Sequence, residues 1–291
     1  MRDVRAGAAT AVGSGARWRS WRIEVPDVGF GRRLVAAELA PLLERLNRNG
    51  SVRRWWFLVK HDGAAHVRLR LLPADAAGGV TDAVEAALDV HREAGRVQRW
   101  CAVPYEPETV LFGGLVGIDL AHDLMHRDSV AAARWLAEER DHTQEASVIA
   151  IRALLTGADL DVFEQGDVWS RVADHRPIDA GRLEPVLARN LDAVGRLYLA
   201  PTDEVRELVG AGAWEVLDAW AVELHRSGRE LAAAARAGQL GRGQRAILAT
   251  FVVFHWNRLG LSAAVQAGLA HLVASWIFHD DRGPLRAGRE R

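Results

Sequence analysis

The chain is predicted to be α+β, with a ferredoxin-like β-α-β-β-α-β sheet half followed by a mostly helical half. Three observations predict this. The stretch Trp55–Leu72, WWFLVKHDGAAHVRLRLL, reads as two strands around a short turn. A strand and then a helical pattern precede it, and a helix and then a strand follow it. From about Gly117 onward apolar residues recur at helical spacing.

Taken in order, Trp18 to Val25 (WRSWRIEV) carries β-formers and ends at Pro26, giving the first strand. Phe30 to Asn49 places Leu34, Leu39, Leu42, Leu43 and Leu46 at helical spacing and stops at Asn49-Gly50. The hairpin strands are Trp55–His61 and His66–Leu72, with a turn at Asp62-Gly63-Ala64-Ala65. Thr81 reads as the N-cap of a helix through about Glu93, closed by Gly95, and Val97–Tyr105 as the fourth strand. Further helices are predicted over 117–126, 128–156, 182–199, 202–210, 213–237 and 242–279, with a break near Gly260. Residues 157–161 and 174–181 read as loops. The expected organisation is a disordered tail (1–17), a sheet portion (18–116), a helical portion packed on it as one unit (117–280) and a second tail (281–291).

Composition excludes several function classes. The net charge of −1 gives no basic field for nucleic acid. Cys101 is the single cysteine, so neither an intrachain disulfide nor a cysteine metal cluster is expected, which suits a reducing cytoplasm. Lys60 is the single lysine. The N-terminus lacks the apolar core of a secretory signal. Leu259–Phe278 is apolar, but Gln266, His271 and the preceding HWNR argue for a buried core helix rather than a membrane span. No GxGxxG follows a strand, and neither a Walker loop nor GxSxG occurs, so nucleotide, flavin and serine-hydrolase readings lack support.

Alternation along the second hairpin strand puts Val67, Leu69 and Leu71 on one face and His66, Arg68 and Arg70 on the other. The apolar face packs on the helices, and the cationic face looks toward the rest of the chain. Guanidinium groups do not shed their charge, so such a row meets carboxylate, phosphate or a developing oxyanion, or else forms ion pairs on a solvated face. After the fourth strand, YEPETVLFGG brings Tyr105, Glu106 and Glu108 near that row. Gly113-Gly114 there permits a backbone turn. Its carboxylates either serve a site or neutralise Arg68 and Arg70. FHWNRLGLS interrupts an apolar run with His255, Asn257 and Arg258; this is a buried structural network or a pocket lining facing the arginines, where His255 could move a proton. Asp119, His122, Asp123 and His126 share a helical face, but without a third-ligand signal or an HExxH glutamate no metal is expected. Most of the eleven tryptophans read as core, with Trp55, Trp56 and Trp256 available to line a cleft.

These pieces together resemble the C-terminal domain of lantibiotic dehydratases, known in stand-alone form as thiopeptide-type bacteriocin biosynthesis proteins. The resemblance rests on WWFLVKH…HVRLRL, YEPETVLFGG, Asp128-Ser129, EQGDVW and HWNRLG, and covers roughly residues 18–280. It implies action on a ribosomally made precursor peptide, without a cofactor. In the dehydratases a separate domain glutamylates Ser or Thr, and the C-terminal domain eliminates glutamate to leave a dehydroamino acid. Related stand-alone members close a pyridine ring by formal [4+2] cycloaddition. By this resemblance His66, Arg68 and Arg70 match the H-x-R-x-R strand, Glu108 matches the family's acidic residue, and His255 is the nearest counterpart of its late histidine. Pro107 and Leu111 depart from the pattern, which has arginines there.

The resemblance therefore implies catalytic roles for His255, Arg68, Arg70 and Glu108, and substrate contacts for His66, Tyr105, Asn257, Arg258 and Trp56. Elimination of glutamate is the leading expectation. The alternatives are pyridine synthesis and a non-catalytic peptide-binding partner of a split dehydratase. A separate glutamylating subunit is the implied protein partner, a homodimer is allowed, and neither nucleic acid nor membrane is expected.

Overall fold

The computed structural model describes residues 17–74, 79–138 and 140–278. The two predicted tails lie outside these residues, apart from Arg17. Four antiparallel strands form an open sheet in the order β2-β3-β1-β4, with β1 Arg19–Glu24, β2 Val52–Asp62, β3 Ala64–Pro73 and β4 Arg99–Ala102. That order and the predicted βαββαβ succession are the ferredoxin-like arrangement. Between β1 and β2 the chain runs through α1 (Val28–Leu34), a π-helical turn (Val35–Leu39) and α2 (Ala40–Arg48). Between β3 and β4 lies α3 (Gly79–Glu93).

Alternation divides the sheet as expected. Trp21, Ile23, Trp55, Phe57, Val59, Val67, Leu69 and Leu71 are all buried, and strand register puts them on one face. There α1 approaches so closely that a Cβ on Gly31 would meet Val25, Val59 and Val67 at 3.2–3.3 Å. The β2–β3 pairing continues to Asp62↔Ala64, leaving Gly63 (φ 84°) as the turn, tighter than the predicted four-residue turn. The fourth strand is shorter than predicted: regular pairing ends at Ala102, and Pro104 has no amide hydrogen to extend it.

The remaining chain is helical: α4 Leu115–Leu136, α5 Thr143–Gly157, α6 Val162–Asp174, α7 Ala180–Leu199, α8 Thr202–Val209, α9 Ala211–Arg236, α10 Gln244–Arg258 and α11 Ala263–Phe278. The predicted helix 128–156 is corrected. The chain stays helical through Arg127; α4 ends instead at Leu136, and α5 begins at Thr143 after His142, which adopts φ 61°. Helix α6 was not predicted, although its Asp161–Glu164 capping box is a sequence signature. The break near Gly260 (φ 66°) separates α10 from α11. Among the described residues, no helix is long and apolar enough to cross a membrane.

Helix α4 lies along the outer edge of β2. Phe57 N–H donates to Ser129 Oγ at 3.3 Å, and His126 Nδ1 lies 3.1–3.3 Å from the carbonyl oxygen and amide nitrogen of Trp55. A helix thus satisfies edge groups that another strand would pair: the Phe57 N–H and, depending on whether His126 Nδ1 carries a proton, either the carbonyl or the N–H of Trp55. Helix α10 also reaches β2, through Phe254 against Trp56. These two contacts join the helical half to the sheet and wall the cationic face at the Arg70 end.

Candidate functional site

Strand register sets the floor of the site. On the cationic face of the sheet, Arg70 lies opposite Ser20 and Trp56, Arg68 opposite Arg22 and Leu58, and His66 opposite Glu24 and Lys60. The row does not behave uniformly. His66 is fully buried; its Nδ1 lies 3.0 Å from Ala64 O, and its Nε2 lies 3.2 Å from both Arg22 Nη1 and Arg68 Nε. Two guanidinium donors require Nε2 to accept, so the neutral Nδ1–H tautomer fits. Burial also pulls His66 below the ordinary histidine value, against the Ala64 carbonyl. Arg68 also reaches Asp62 at 3.3 Å and is about one-third exposed. His66 and Arg68 therefore form a paired network with Arg22 and Asp62.

Arg70 differs. Its guanidinium lies 4.3 Å above the Trp56 ring and 5.0 Å from the Tyr105 ring. Its Nε and Nη1 are buried without hydrogen-bond partners, and so is the Trp56 indole N–H. No carboxylate stands at ion-pair distance from it among the described residues; burial pulls its pKa down to about 10. A cation stacked on aromatic faces with its donors unmatched is an acceptor-seeking group.

Tyr105 stands beside it, with its hydroxyl 2.7 Å from His122 Nε2. Trp18 closes over both rings, its centroid 5.5 Å from Tyr105 and 4.4 Å from His122. Burial raises the Tyr105 pKa, against the pull of Arg70, and lowers His122 to about 4, so the pair is neutral near pH 7. Glu108 is exposed at the rim, close enough to act electrostatically on Arg70 and Tyr105. The turn after it needs Gly113 and Gly114, both at positive φ (83° and 99°). Leu111, where the family pattern has an arginine, is exposed.

The late helix does not deliver its histidine to this place. His255 is fully buried, and its Nδ1–H donates to Asp128 at 2.9 Å. Arg258, also fully buried, donates to the same carboxylate, and Trp220 Nε1 does so at 2.8 Å. Burial alone would raise Asp128, yet His255 and Arg258 hold it below the ordinary carboxylate value. The expected convergence of His255 and Arg258 with the arginine row is therefore corrected. The α10 side chain that meets the sheet is Phe254, against Trp56 and Phe112. Asn257 is likewise elsewhere, accepting from Gln266 of α11 at 3.0 Å. The expected roofed cleft is kept only at the Arg70 end.

The acid–histidine stripe of α4 is also divided by the packing. Asp119 and Asp123 bind Arg54, His126 covers Trp55, and His122 alone faces Tyr105. No group of three or more potential metal ligands occurs among the described residues. Sequence reasoning missed Trp18 and His122 as walls of this site and Asp128 as the centre of the core cluster. His122 was legible as part of a helical face, but nothing in the sequence said which stripe member would meet Tyr105.

The fold and the site thus define a class: a ferredoxin-like sheet carrying a half-paired arginine row, one end of it enclosed by aromatic residues and a helical half. The chain belongs to the lantibiotic biosynthesis dehydratase C-terminal family, whose model matches residues 18–277. Among solved structures it is similar to the tRNA-dependent lantibiotic dehydratase MibB from Microbispora sp. 107891, with 18% identity and TM-score 0.69. The match covers 98% of this chain and 29% of that one, so the chain spans under a third of that dehydratase's length. It is similar to TsrL, with 17% identity and TM-score 0.65, covering 89% of this chain and 93% of that one. It is also similar to the pyridine synthase TbtD from thiomuracin biosynthesis, with 15% identity and TM-score 0.54, covering 89% and 97%. No curated protein sequence matches. The family resemblance read from the motifs is borne out; at these identities the structural likenesses speak for the fold.

Proposed function

We propose that this chain modifies a ribosomally made precursor peptide by eliminating glutamate from a glutamylated Ser or Thr, giving a dehydroamino acid. The observation that carries this reading is the half-buried Arg70, whose buried Nε and Nη1 are unpaired and which has no carboxylate at ion-pair distance among the described residues. A glutamyl ester brings a free carboxylate to such a group, and charge-assisted hydrogen bonds favour its capture. In the reaction a base removes the α-proton of the esterified residue. The electron pair becomes the Cα=Cβ double bond, the Cβ–O bond breaks, and glutamate leaves with the ester oxygen. Tyr105, held by His122, stands where its hydroxyl can donate to the carbonyl oxygen that gains charge as the proton departs. Arg68, His66 and Glu108 extend the polar surface away from Arg70, and Trp56 supplies the apolar wall. Glutamylation itself falls to a separate dehydratase subunit. The setting is the cytoplasm, where precursor peptides are made.

The test is a synthetic peptide carrying O-glutamyl-serine. Free glutamate and a dehydroalanine mass are expected from the wild-type chain, and Arg70→Met should slow release about 100-fold, the value of a charged hydrogen-bond pair. A wild-type chain that leaves the ester intact refutes the reading.

One observation favours a second reading, pyridine synthesis. Pro107 and Leu111 replace charged residues of the family pattern, and Val110 and Leu115 are over 80% exposed, so apolar side chains flank Glu108 at the rim. Such a rim suits a dehydrated, less charged peptide held mainly by positioning. A peptide bearing two dehydroalanines would then lose water and its leader. Binding of both peptides with turnover of neither would mark a peptide-binding module.

A further inference from the structure

Resting on the elimination reading, we infer that Lys60 is the base that takes the α-proton. It is the only lysine in the chain. Its register partner is His66, so it stands on the same sheet face as Arg68 and Arg70, with Leu58 and Trp56 next along its own strand. Among the described residues it has neither a hydrogen bond nor an ion pair, although Asp62 lies two residues away. That acid is taken by Arg68, Arg22 and His66. A half-buried amine left unpaired on a face where the other cations are paired or stacked on aromatic rings is free to meet substrate.

The histidines considered for the role are committed or unsuited. His255 is sealed in the core on Asp128. The Nε2 of His66 already accepts from two guanidinium groups. His122 is tied to Tyr105 and is too weak a base. The charged groups that act on Lys60 are Arg68 and Arg70 from β3, Asp62 from its own strand and Glu108 from the loop after β4, and His66 is its neighbour across the strand pair. Burial first, and Arg68 next, push the amine below the ordinary lysine value, outweighing the two carboxylates. Lowering an amine toward working pH is how a lysine becomes a usable base. Lys60 and Arg70 stand four positions apart along the β2–β3 register, with Arg68 between them. A glutamyl ester has the same polarity along its length, an acidic α C–H toward one end and a free carboxylate at the other. Deprotonation converts the neutral amine to ammonium as the glutamate carboxylate departs toward Arg70, so proton and charge both balance.

A single lysine makes the test direct. Reductive ¹³C-methylation of the wild-type chain gives one lysine signal, which should titrate below the ordinary value of about 10.4 and move back up in Arg68→Met. With the O-glutamyl-serine peptide, Lys60→Arg and Lys60→Met should each lose glutamate release about 100-fold or more at an unchanged urea midpoint. The wild-type rate should rise with pH through the titration seen by NMR. Lys60→Arg working at the wild-type rate, or a lysine titrating at the ordinary value with no matching limb in the rate profile, overturns the assignment and leaves the elimination reading intact. Absence of glutamate release from the wild-type chain overturns both.

Discussion

Two arginines with desolvated guanidinium groups lead opposite lives in this molecule. Arg258 is fully enclosed and donates to Asp128, which also receives His255 and Trp220. Arg70 is half-buried and stacked on Trp56 and Tyr105, with unpaired donors and no carboxylate partner among the described residues. The first centre balances its charge inside the protein, and its loss should be felt as stability. The second leaves its charge unanswered, and its loss should be felt as binding or turnover. Both draw on motifs that look functional in sequence; the difference lies in where the counter-charge is. A buried charge paired by the fold is part of the fold, whereas one left unpaired is a cost retained for something that arrives later.

The contrast can be broken most easily at Asp128. Asp128→Ala strands Arg258 without a counter-ion and should cost about 3–5 kcal/mol in urea unfolding. A variant of wild-type stability would mean that the core centre is not structural. At the other centre, Arg70→Met should lose about 3 kcal/mol of transition-state stabilisation with little change, or a gain, in unfolding free energy, because a desolvated cation is removed. If its stability falls as far as that of Asp128→Ala, the two arginines are alike after all.

The pH dependence sharpens the comparison. His122 has its folded pKa lowered to about 4 from the ordinary 6.5, so between those values the unfolded chain binds more protons than the folded one. Its contribution is therefore complete above pH 6.5 and is lost as pH falls toward 4, roughly 3 kcal/mol at most by linkage. His66 and His126 are lowered as well and act in the same direction. Asp128, held below the ordinary carboxylate value, loses its contribution only at lower pH. Urea midpoints between pH 7 and 4 should flatten in His122→Gln, and an unaltered slope would contradict the burial assigned to it. The smallest expected effect is in activity at the core. His255→Gln, which can still donate to Asp128, should reduce stability by about 1–2 kcal/mol while glutamate release per folded molecule stays within a few-fold. A selective fall in kcat would return His255 to the site and erase the distinction drawn here.

Much of the fold was legible because a half-buried sheet writes itself in period two. The hairpin, the split of Val67, Leu69 and Leu71 from His66, Arg68 and Arg70, and the β-α-β-β-α-β order all followed from alternation and turn residues. Helix α6 escaped because its cap was overlooked, and the α4 boundary slipped because no breaker marks it. The sequence alone also put Arg70, Tyr105, Trp56 and Glu108 in neighbouring segments; strand register pairs Arg70 with Trp56, and the loop after β4 brings Tyr105 against Arg70.

What the sequence alone determined is the sheet, its two faces and the family. Which side of the late helix meets the sheet was decided only in three dimensions. Neighbouring residues on a helix point about 100° apart, so Phe254 and His255 cannot both face Trp56. Helix α10 packs against β2, α4, α5, α6 and α9, and its half-buried stripe of Thr250, Val253, Phe254 and Asn257 is as apolar as its core side, so polarity does not reveal which side faces inward. In such a helix every polar residue resembles a site until its partner is seen, and the partner of His255, Asp128, lies 127 positions away in the chain.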